Sequence, residues 1–149
     1  MLNDILKQEY IKLNVECKNW EEAIRSAGQV LLENDVITNE YIEEAIKEVK
    51  ELGTYIVITK GVAMPHATSH IGVKKTGIAL IKLKEPVEFG NSDNNPVHYV
   101  FMLATTDMES HIEALSKVSD LLAKPEFFDV MKNTSDSASF IDYIKVNKI

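Results

Sequence analysis

The chain has 149 residues, enough for one domain with a substantial core, and its 45% hydrophobic and 26% charged residues are typical of globular proteins. Its formal net charge of −7 argues against nucleic acid or an anionic membrane surface as partner, because both favour a basic face. The single cysteine, Cys17, excludes an internal disulfide, and the N terminus lacks the segments of a signal peptide. We therefore expect a cytoplasmic protein without membrane insertion.

The first third of the chain is predicted to form one strand and two helices. Apolar and polar residues alternate over residues 10–17, which is typical of a half-buried strand. Asn19 is a suitable N-cap for a helix that runs to about residue 32, and Thr38 for a second helix that ends at Gly53. The apolar stripes of both helices are interpreted as core.

Three apolar runs in the middle of the chain are predicted to be strands. Residues 55–59 form the first, residues 78–83 the second and residues 97–104 the third. The second begins with side chains that are apolar on both faces, which favours a central place in the sheet. Pro86 cannot donate to a ladder, so residues 85–89 are predicted to be an irregular or edge segment.

The last third is predicted to be helical. A helix begins near residues 108–110 and ends at Pro125, a short helix follows over 126–131, and Ser135 or Ser137 caps a last one. The residues predicted to face inward on the first of these helices are Ile112, Leu115, Val118, Leu121 and Leu122. Strands interspersed with helices predict an α/β fold, with helices on both faces of a mixed sheet in one domain, residues 1–149.

A loop between two predicted strands carries the first candidate for chemistry, Gly61-Val62-Ala63-Met64-Pro65-His66-Ala67. Pro65 fixes its own φ and restricts Met64 to extended conformations, and Gly61 permits unusual backbone angles. The loop is therefore predicted to be stiff and to present His66 in one orientation.

A second histidine, His111, falls in the first turn of the helix that follows the strand at 97–104. Amide groups of a first turn are unpaired and carry positive partial charge, so this helix end is predicted to be an anion site. Neutral imidazole is a nucleophile near pH 7, and phosphoryl transfer requires mainly positioning and charge stabilisation. One histidine could accept a phosphoryl group while the other stabilises it. The sequence has no glycine-rich phosphate loop, so no nucleotide is expected in this reaction.

These residues match a known family. The loop Gly61-Val62-Ala63-Met64-Pro65-His66-Ala67, together with Ser110-His111-Ile112-Glu113-Ala114-Leu115-Ser116, resembles the mannitol/fructose-type enzyme IIA of the bacterial phosphoenolpyruvate-dependent sugar phosphotransferase system. The resemblance implies a phosphotransferase without cofactor or metal. It also implies that His66 accepts a phosphoryl group from phosphorylated HPr, with Nε2 as the acceptor atom, and passes it to an enzyme IIB, and so indirectly to the membrane enzyme IIC. His111 matches the second histidine, which supports the phosphoryl group.

Within the family, residues 53–57 and 84–90 are most similar to the L-ascorbate branch, in which a separate cytoplasmic IIA serves a IIB that carries phosphate on cysteine. The chain ends without a linker, which agrees with a stand-alone component. One departure concerns the arginine that mannitol-type members carry before the loop. Lys47 and Lys50 are the nearest candidates here, and neither aligns with it; lysine also lacks the planar fork of arginine.

Two rival functions remain open at this point. A regulatory IIA module would be phosphorylated on His66 and would control a partner without supplying a IIB. A metal-dependent hydrolase would use His66, His70 and His111, although the loop lacks a carboxylate and no third ligand is evident. A carrier also predicts an apolar docking face around His66, for which Met64, Ala67 and Ile71 are candidates.

Overall fold

A five-stranded mixed sheet organises the computed structural model, which describes residues 1–149. Short 3₁₀ turns occupy Leu2–Asp4 and Gln8–Tyr10. The strands are β1 (Ile11–Val15), β2 (Val57–Thr59), β3 (Val62–Ala63), β4 (Gly77–Val87) and β5 (Val97–Ala104). The helices are α1 (Trp20–Glu33), α2 (Asn39–Leu52), α3 (Met108–Leu122), α4 (Phe127–Asn133) and α5 (Ser137–Val146).

The strand order is β1-β4-β5-β3-β2, so the two longest strands lie side by side within the sheet. β4 pairs with β5 antiparallel, β1 with β4 and β3 with β5 parallel, and β2 with β3 antiparallel. Residues 77–81 of β4 are buried, as is all of β5 except His98. This burial on both faces confirms that the run at 78–83 has a central place in the sheet and that the run at 97–104 is a buried strand.

Helices cover both faces of the sheet. Ile81 of β4 lies beside Val30 of α1 on one face, and the next residue, Lys82, points to the other face, where its Nζ donates to Met131 O of α4 at 2.5 Å. On the first face α1 and α2 approach closely, since a Cβ on Gly28 would lie 2.6 Å from Ile42 Cγ1. The predicted α/β fold, with a mixed sheet between helices, is confirmed.

Most of the predicted helix boundaries are confirmed, and capping residues account for where the helices begin and end. The Asn19 side chain accepts a hydrogen bond from Glu22 N at 2.8 Å, as predicted, and Gly53 follows the last residue of α2 with φ +89°. The last helix is capped by Asp136, not by Ser135 or Ser137, because the Asp136 carboxylate accepts the Ser139 amide at 2.8 Å. None of the helices is long and apolar enough to cross a membrane.

The segment around Pro86 is irregular and lies at an edge, as predicted, although β4 continues through it to Val87. β1 ends opposite Leu83, and the pairing with β5 shifts register between Lys82 and Val87, so the strand accommodates a proline there. The prediction that Ile112 faces inward was wrong, because Ile112 is 61% exposed. The buried stripe of α3 consists of Ala114, Val118 and Leu121.

Candidate active site

The loop that carries His66 is hydrogen-bonded to the backbone of its neighbours. Met64 N donates to Ile56 O at 2.7 Å, and Leu103 N of β5 donates to Pro65 O at 3.0 Å. The residues around His66 therefore extend the order of β3 beyond its two residues. These bonds, together with the proline, support the prediction of a stiff loop.

Tyr41 of α2 forms a hydrogen bond with Ala67, the loop residue that follows His66. Its hydroxyl donates to Leu103 O at 2.5 Å and accepts the Ala67 amide at 3.1 Å. The side chain is buried, and this burial raises the pKa of Tyr41 to about 12, so the hydroxyl keeps its proton near neutral pH. One phenol thus joins α2, β5 and the His66 loop.

His66 is half-buried, and its ring orientation is fixed by one hydrogen bond. Nδ1 lies 2.9 Å from Met64 O, and because a carbonyl can only accept, Nδ1 carries the proton. In the neutral ring the lone pair then resides on Nε2. The Tyr55 ring meets His66 edge to face, with 5.9 Å between centroids. The arrangement leaves Nε2 as the ring nitrogen with an available lone pair.

His111 lies beside His66, as the chemistry predicted from the sequence requires. The two ring centroids are 5.1 Å apart, with the ring planes tilted by 49°. Desolvation, together with the nearby His66 and His70, lowers the pKa of His111 below its ordinary value. His111 is therefore neutral at physiological pH, with one N–H to donate.

The N terminus of α3 differs from the free anion site predicted from the sequence. Asp107 is the N-cap, and its carboxylate accepts the Ser110 amide at 2.8 Å. This bond lowers the pKa of Asp107, so the carboxylate is charged at neutral pH. The Asp107 carboxylate takes the Ser110 amide of the first turn, and the imidazole of His111 is a further group there that can face a phosphoryl oxygen.

No arginine lies in the site. The only arginine of the chain, Arg25, pairs on the surface with Glu43 at 2.5 Å. Lys47 and Lys50 are both exposed on α2, and Lys50 Nζ lies 3.6 Å from Glu21. Neither lysine replaces the family's arginine, so charge stabilisation by a cation from α2 is absent.

Besides Tyr41, a second α2 side chain reaches the loop, the carboxylate of Glu48, which is 8% exposed. It accepts the amide of Thr68 at 2.8 Å and also the Thr68 hydroxyl. Sequence reasoning missed this residue. The signal for it was its spacing, since Glu48 follows Tyr41 and Ala45 by seven and three residues and so shares their inward face.

His70 and His98 occupy different positions. His70 Nδ1 donates to Thr105 O at 2.7 Å, close enough to His111 to affect its pKa. His98 is exposed near the start of β5, far along that strand from His66. No three or more His, Cys, Asp or Glu side chains are grouped so that they could hold a metal ion, and His66, His70 and His111 do not form such a group.

Comparison with known proteins places this geometry in a family. Residues 4–147 match the family described as phosphoenolpyruvate-dependent sugar phosphotransferase system, EIIA 2. The chain is 32% identical over 143 residues to the ascorbate-specific EIIA component of Escherichia coli strain K12, covering 95% of this chain and 93% of that protein.

Two solved structures show the same fold. The mannitol-specific cryptic enzyme IIA of Escherichia coli matches with a TM-score of 0.83 and 32% identity over 96% of this chain and 97% of that one. The nitrogen regulatory protein IIA-Ntr of Neisseria meningitidis matches with a TM-score of 0.77 and 26% identity, over 93% and 94%. The chain therefore belongs to the EIIA type 2 family of the phosphoenolpyruvate-dependent sugar phosphotransferase system, and it is a phosphotransferase component of that system.

Proposed function

We propose that residues 1–149 form one enzyme IIA domain that carries a phosphoryl group on Nε2 of His66. Phosphorylated HPr is the donor and an enzyme IIB is the acceptor. The observation that carries this proposal is the hydrogen bond from His66 Nδ1 to Met64 O, 2.9 Å long, in a ring that lies against His111. This bond leaves Nε2 unprotonated. The backbone on either side of His66 is held by hydrogen bonds to its neighbours.

In the transfer, the Nε2 lone pair attacks the phosphorus of phospho-HPr. The new N–P bond forms as the bond from phosphorus to the HPr imidazole breaks, and that leaving nitrogen keeps the electron pair. The His66 ring gains positive character because Nδ1 retains its proton. Met64 O stabilises that charge through the existing hydrogen bond. Passing the group to IIB reverses these steps and restores neutral His66.

His111 is the stabilising group in this proposal. Its neutral ring donates one N–H to an oxygen of the phosphoryl group. The two ring centroids are 5.1 Å apart, so a phosphoryl group on His66 lies within reach of His111. A phosphoryl group on His66 adds negative charge beside His111, which favours its protonated form. The charge that other family members place on arginine can in this way be supplied by the second histidine.

We further propose L-ascorbate as the transported substrate, with a IIB that accepts phosphate on a cysteine thiolate and a membrane enzyme IIC beyond it. Support comes from the ascorbate-specific EIIA component, which is similar over nearly its full length, and from the sequence resemblance at residues 53–57 and 84–90. In this role the protein is cytoplasmic, where HPr and the soluble face of the transporter are found.

Donor and acceptor must use the same face in turn. Four exposed apolar side chains flank the histidines, and we call them the apolar rim: Tyr55, Ile71, Met108 and Ile112. Their exposed fractions are 40%, 46%, 60% and 61%. The rim replaces part of the docking face predicted from the sequence, because the loop residues Met64 and Ala67 are buried and only Ile71 of that set is exposed.

A regulatory role is the second candidate, because IIA-Ntr, a nitrogen regulatory protein, has the same fold at 26% identity. The two roles share phosphorylation on His66 and differ in the next step. A carrier passes the group rapidly to a cysteine-type IIB. A regulator keeps it, and its phosphorylation state changes its affinity for another protein.

The test begins with phosphoenolpyruvate, enzyme I and HPr. The wild type should gain one acid-labile phosphoryl group, His66→Ala none, and His111→Ala should be phosphorylated about 10²-fold more slowly. His98→Ala is the matched control, since it removes an exposed histidine outside the site, and it should behave as the wild type. An unphosphorylated wild type, or phosphate on His66→Ala, would overturn the carrier.

A second stage separates the rival roles. The phosphorylated wild type is mixed with purified ascorbate-type IIB and with its cysteine-to-serine variant. Loss of phosphate from His66 only in the presence of intact IIB supports the carrier. Retention of phosphate with every IIB tested would favour the regulator.

A further inference from the structure

A cleft of about 490 Å³ opens at the end of the sheet away from His66. It lies over the register shift between β4 and β5 and is closed on one side by α4. Tyr99, in its floor, precedes Leu103 by four residues along β5, which corresponds to about 13 Å of strand. The cleft is therefore separate from the proposed phosphorylation site.

Positive charge is concentrated in this cleft. Its lining contains four lysines, Lys60, Lys82, Lys84 and Lys132, and only one acid, Asp129. The whole chain has a net charge of −7, so this distribution is opposite to that of the protein as a whole. Such a local field attracts anions.

The lysines are not all neutralised by protein groups. Lys84 pairs with Glu16 at 2.9 Å, whereas neither Lys60 nor Lys132 forms an ion pair. Lys82 is half-buried, and its Nζ donates to the carbonyl oxygens of Met131 and Lys132 at 2.5 and 3.2 Å. An ammonium has three donors, so Lys82 retains one for a ligand.

Two aromatic residues add a planar, partly apolar wall. Tyr99 is only 8% exposed, but its hydroxyl oxygen is accessible and forms no hydrogen bond within the protein. Burial raises the pKa of Tyr99, so the hydroxyl remains a donor. Phe128 stands beside it with 6.1 Å between ring centroids and is 42% exposed.

We propose that this cleft binds a nucleoside phosphate, with the phosphates held by Lys60, Lys82 and Lys132 and the base stacked on Phe128. The volume falls within the range of about 300–1,000 Å³ found for small-molecule sites. Lysine ammonium groups bind phosphate oxygens as point charges, and aromatic faces stack with bases. The Tyr99 hydroxyl supplies a donor that has no partner in the protein.

The proposal is tested by calorimetric titration of the full chain with ATP in metal-free buffer, alongside adenosine and tripolyphosphate. We expect a Kd for ATP below about 1 mM and at least about tenfold tighter than for either fragment. The double variant Lys60→Ala/Lys132→Ala should weaken ATP binding by about tenfold or more, and Phe128→Ala should reduce the preference for ATP over tripolyphosphate. The matched control, Lys145→Ala on α5, alters an exposed lysine elsewhere and should bind as the wild type.

Amide shifts in NMR spectra locate the ligand independently. Shifts confined to residues around 82–84, 96–99 and 128–132 support the cleft. Shifts centred on His66, equal weakening by Lys145→Ala, or equal affinity for tripolyphosphate and ATP would overturn the proposal. Phosphorylation of His66 by phospho-HPr should proceed normally in Lys60→Ala/Lys132→Ala, so failure of this site is distinguishable from failure of the carrier function.

Discussion

The carboxylate of Glu48 accepts both the amide and the hydroxyl hydrogen of Thr68, two residues after His66. A buried carboxylate with two donors on one residue fixes the direction in which the chain leaves the histidine. It also places a carboxylate close to the loop that carries His66.

Glu48→Gln should destabilise the fold by about 1–3 kcal/mol, because a glutamine amide turns a donor toward one of the two Thr68 donors. Phosphorylation of His66 should slow in parallel as the loop loosens. Thermal unfolding and phosphorylation rate measure the two effects. Glu51→Gln makes the same change of charge at an exposed position of α2, and it should leave both quantities unchanged. Equal effects of the two variants would contradict a specific role for Glu48.

Tyr41→Phe should cost about 1–3 kcal/mol of unfolding free energy, because the Ala67 amide and the Leu103 carbonyl both lose a buried partner. Denaturant unfolding gives the difference. Tyr10→Phe is the comparison, since Tyr10 is equally buried but its hydroxyl forms no hydrogen bond. If both variants lose the same stability, the bridge between α2, β5 and the loop is not the cause.

The phosphoryl group should be found on Nε2 of His66. The Nδ1 proton is committed to Met64 O, so only the other nitrogen has a lone pair to form the N–P bond. Nitrogen–phosphorus couplings in ¹⁵N-labelled protein identify the atom directly. Phosphorus attached to Nδ1 would show that the His66 ring flips, and so breaks its bond to Met64 O, before the reaction.

The pKa of His111 should lie below its ordinary value in the free protein and should rise when His66 is phosphorylated. Burial and the neighbouring histidines lower it in the free form, and the phosphoryl charge opposes both effects. Ring-proton NMR titrations of the two forms give the values, and signals of the remote His98 should not respond to phosphorylation. A pKa that is the same in both forms would remove His111 from contact with the phosphoryl group.

The same pKa shift has a consequence for stability. The folded-state pKa of His111 lies below the unfolded value of about 6.5, so the unfolded chain binds this proton first as the pH falls. The contribution of His111 to folding is therefore complete above about pH 6.5 and is lost as the pH falls through the folded-state pKa. His111→Gln should reduce the loss of stability in this interval, and an unchanged pH profile would contradict the assignment.

Met108→Asp and Ile112→Asp should each slow phosphoryl transfer from HPr and to IIB while leaving the fold intact, because both side chains are exposed. A charge in the apolar rim must be desolvated whenever either partner docks. Stopped-flow transfer rates test this, with Val146→Asp as control at a 79% exposed apolar residue on α5. Unchanged transfer rates in the rim variants would show that the docking face lies elsewhere. Met64→Asp is unsuitable, since Met64 is buried and its replacement would disrupt the core.

Much of the fold could be predicted from local patterns. The alternation in β1, the two-faced apolar runs of β4 and β5 and the Asn19 cap are properties of neighbouring residues, and they were predicted correctly. Ile112 was predicted to face inward because an isoleucine side chain is more hydrophobic than an alanine side chain and so dominates the apolar pattern of a helix. The buried face of α3 is instead centred on Ala114, whose small side chain gives a weak signal.

The site could be predicted only in part, for a physical reason. Proline and glycine mark the His66 loop within a few residues, so its stiffness is visible in the sequence. The contact between His66 and His111 depends on the parallel pairing of β3 with β5, which joins segments far apart in the chain. Glu48 was missed because a glutamate on a helix is usually exposed, and only its partner Thr68 explains its burial.

The backbone bonds that fix the loop at Met64 and Pro65 also limit how the protein can be controlled. In the proposed carrier, a nitrogen held in one position offers the same target to donor and acceptor, so the two partners would exclude each other and alternate. Tight binding by either partner would then slow phosphoryl transfer as a whole, because the occupied face is not available to the other partner. Flux through such a component should depend on the abundance and dissociation rates of its partners, and selection should favour brief encounters over high affinity.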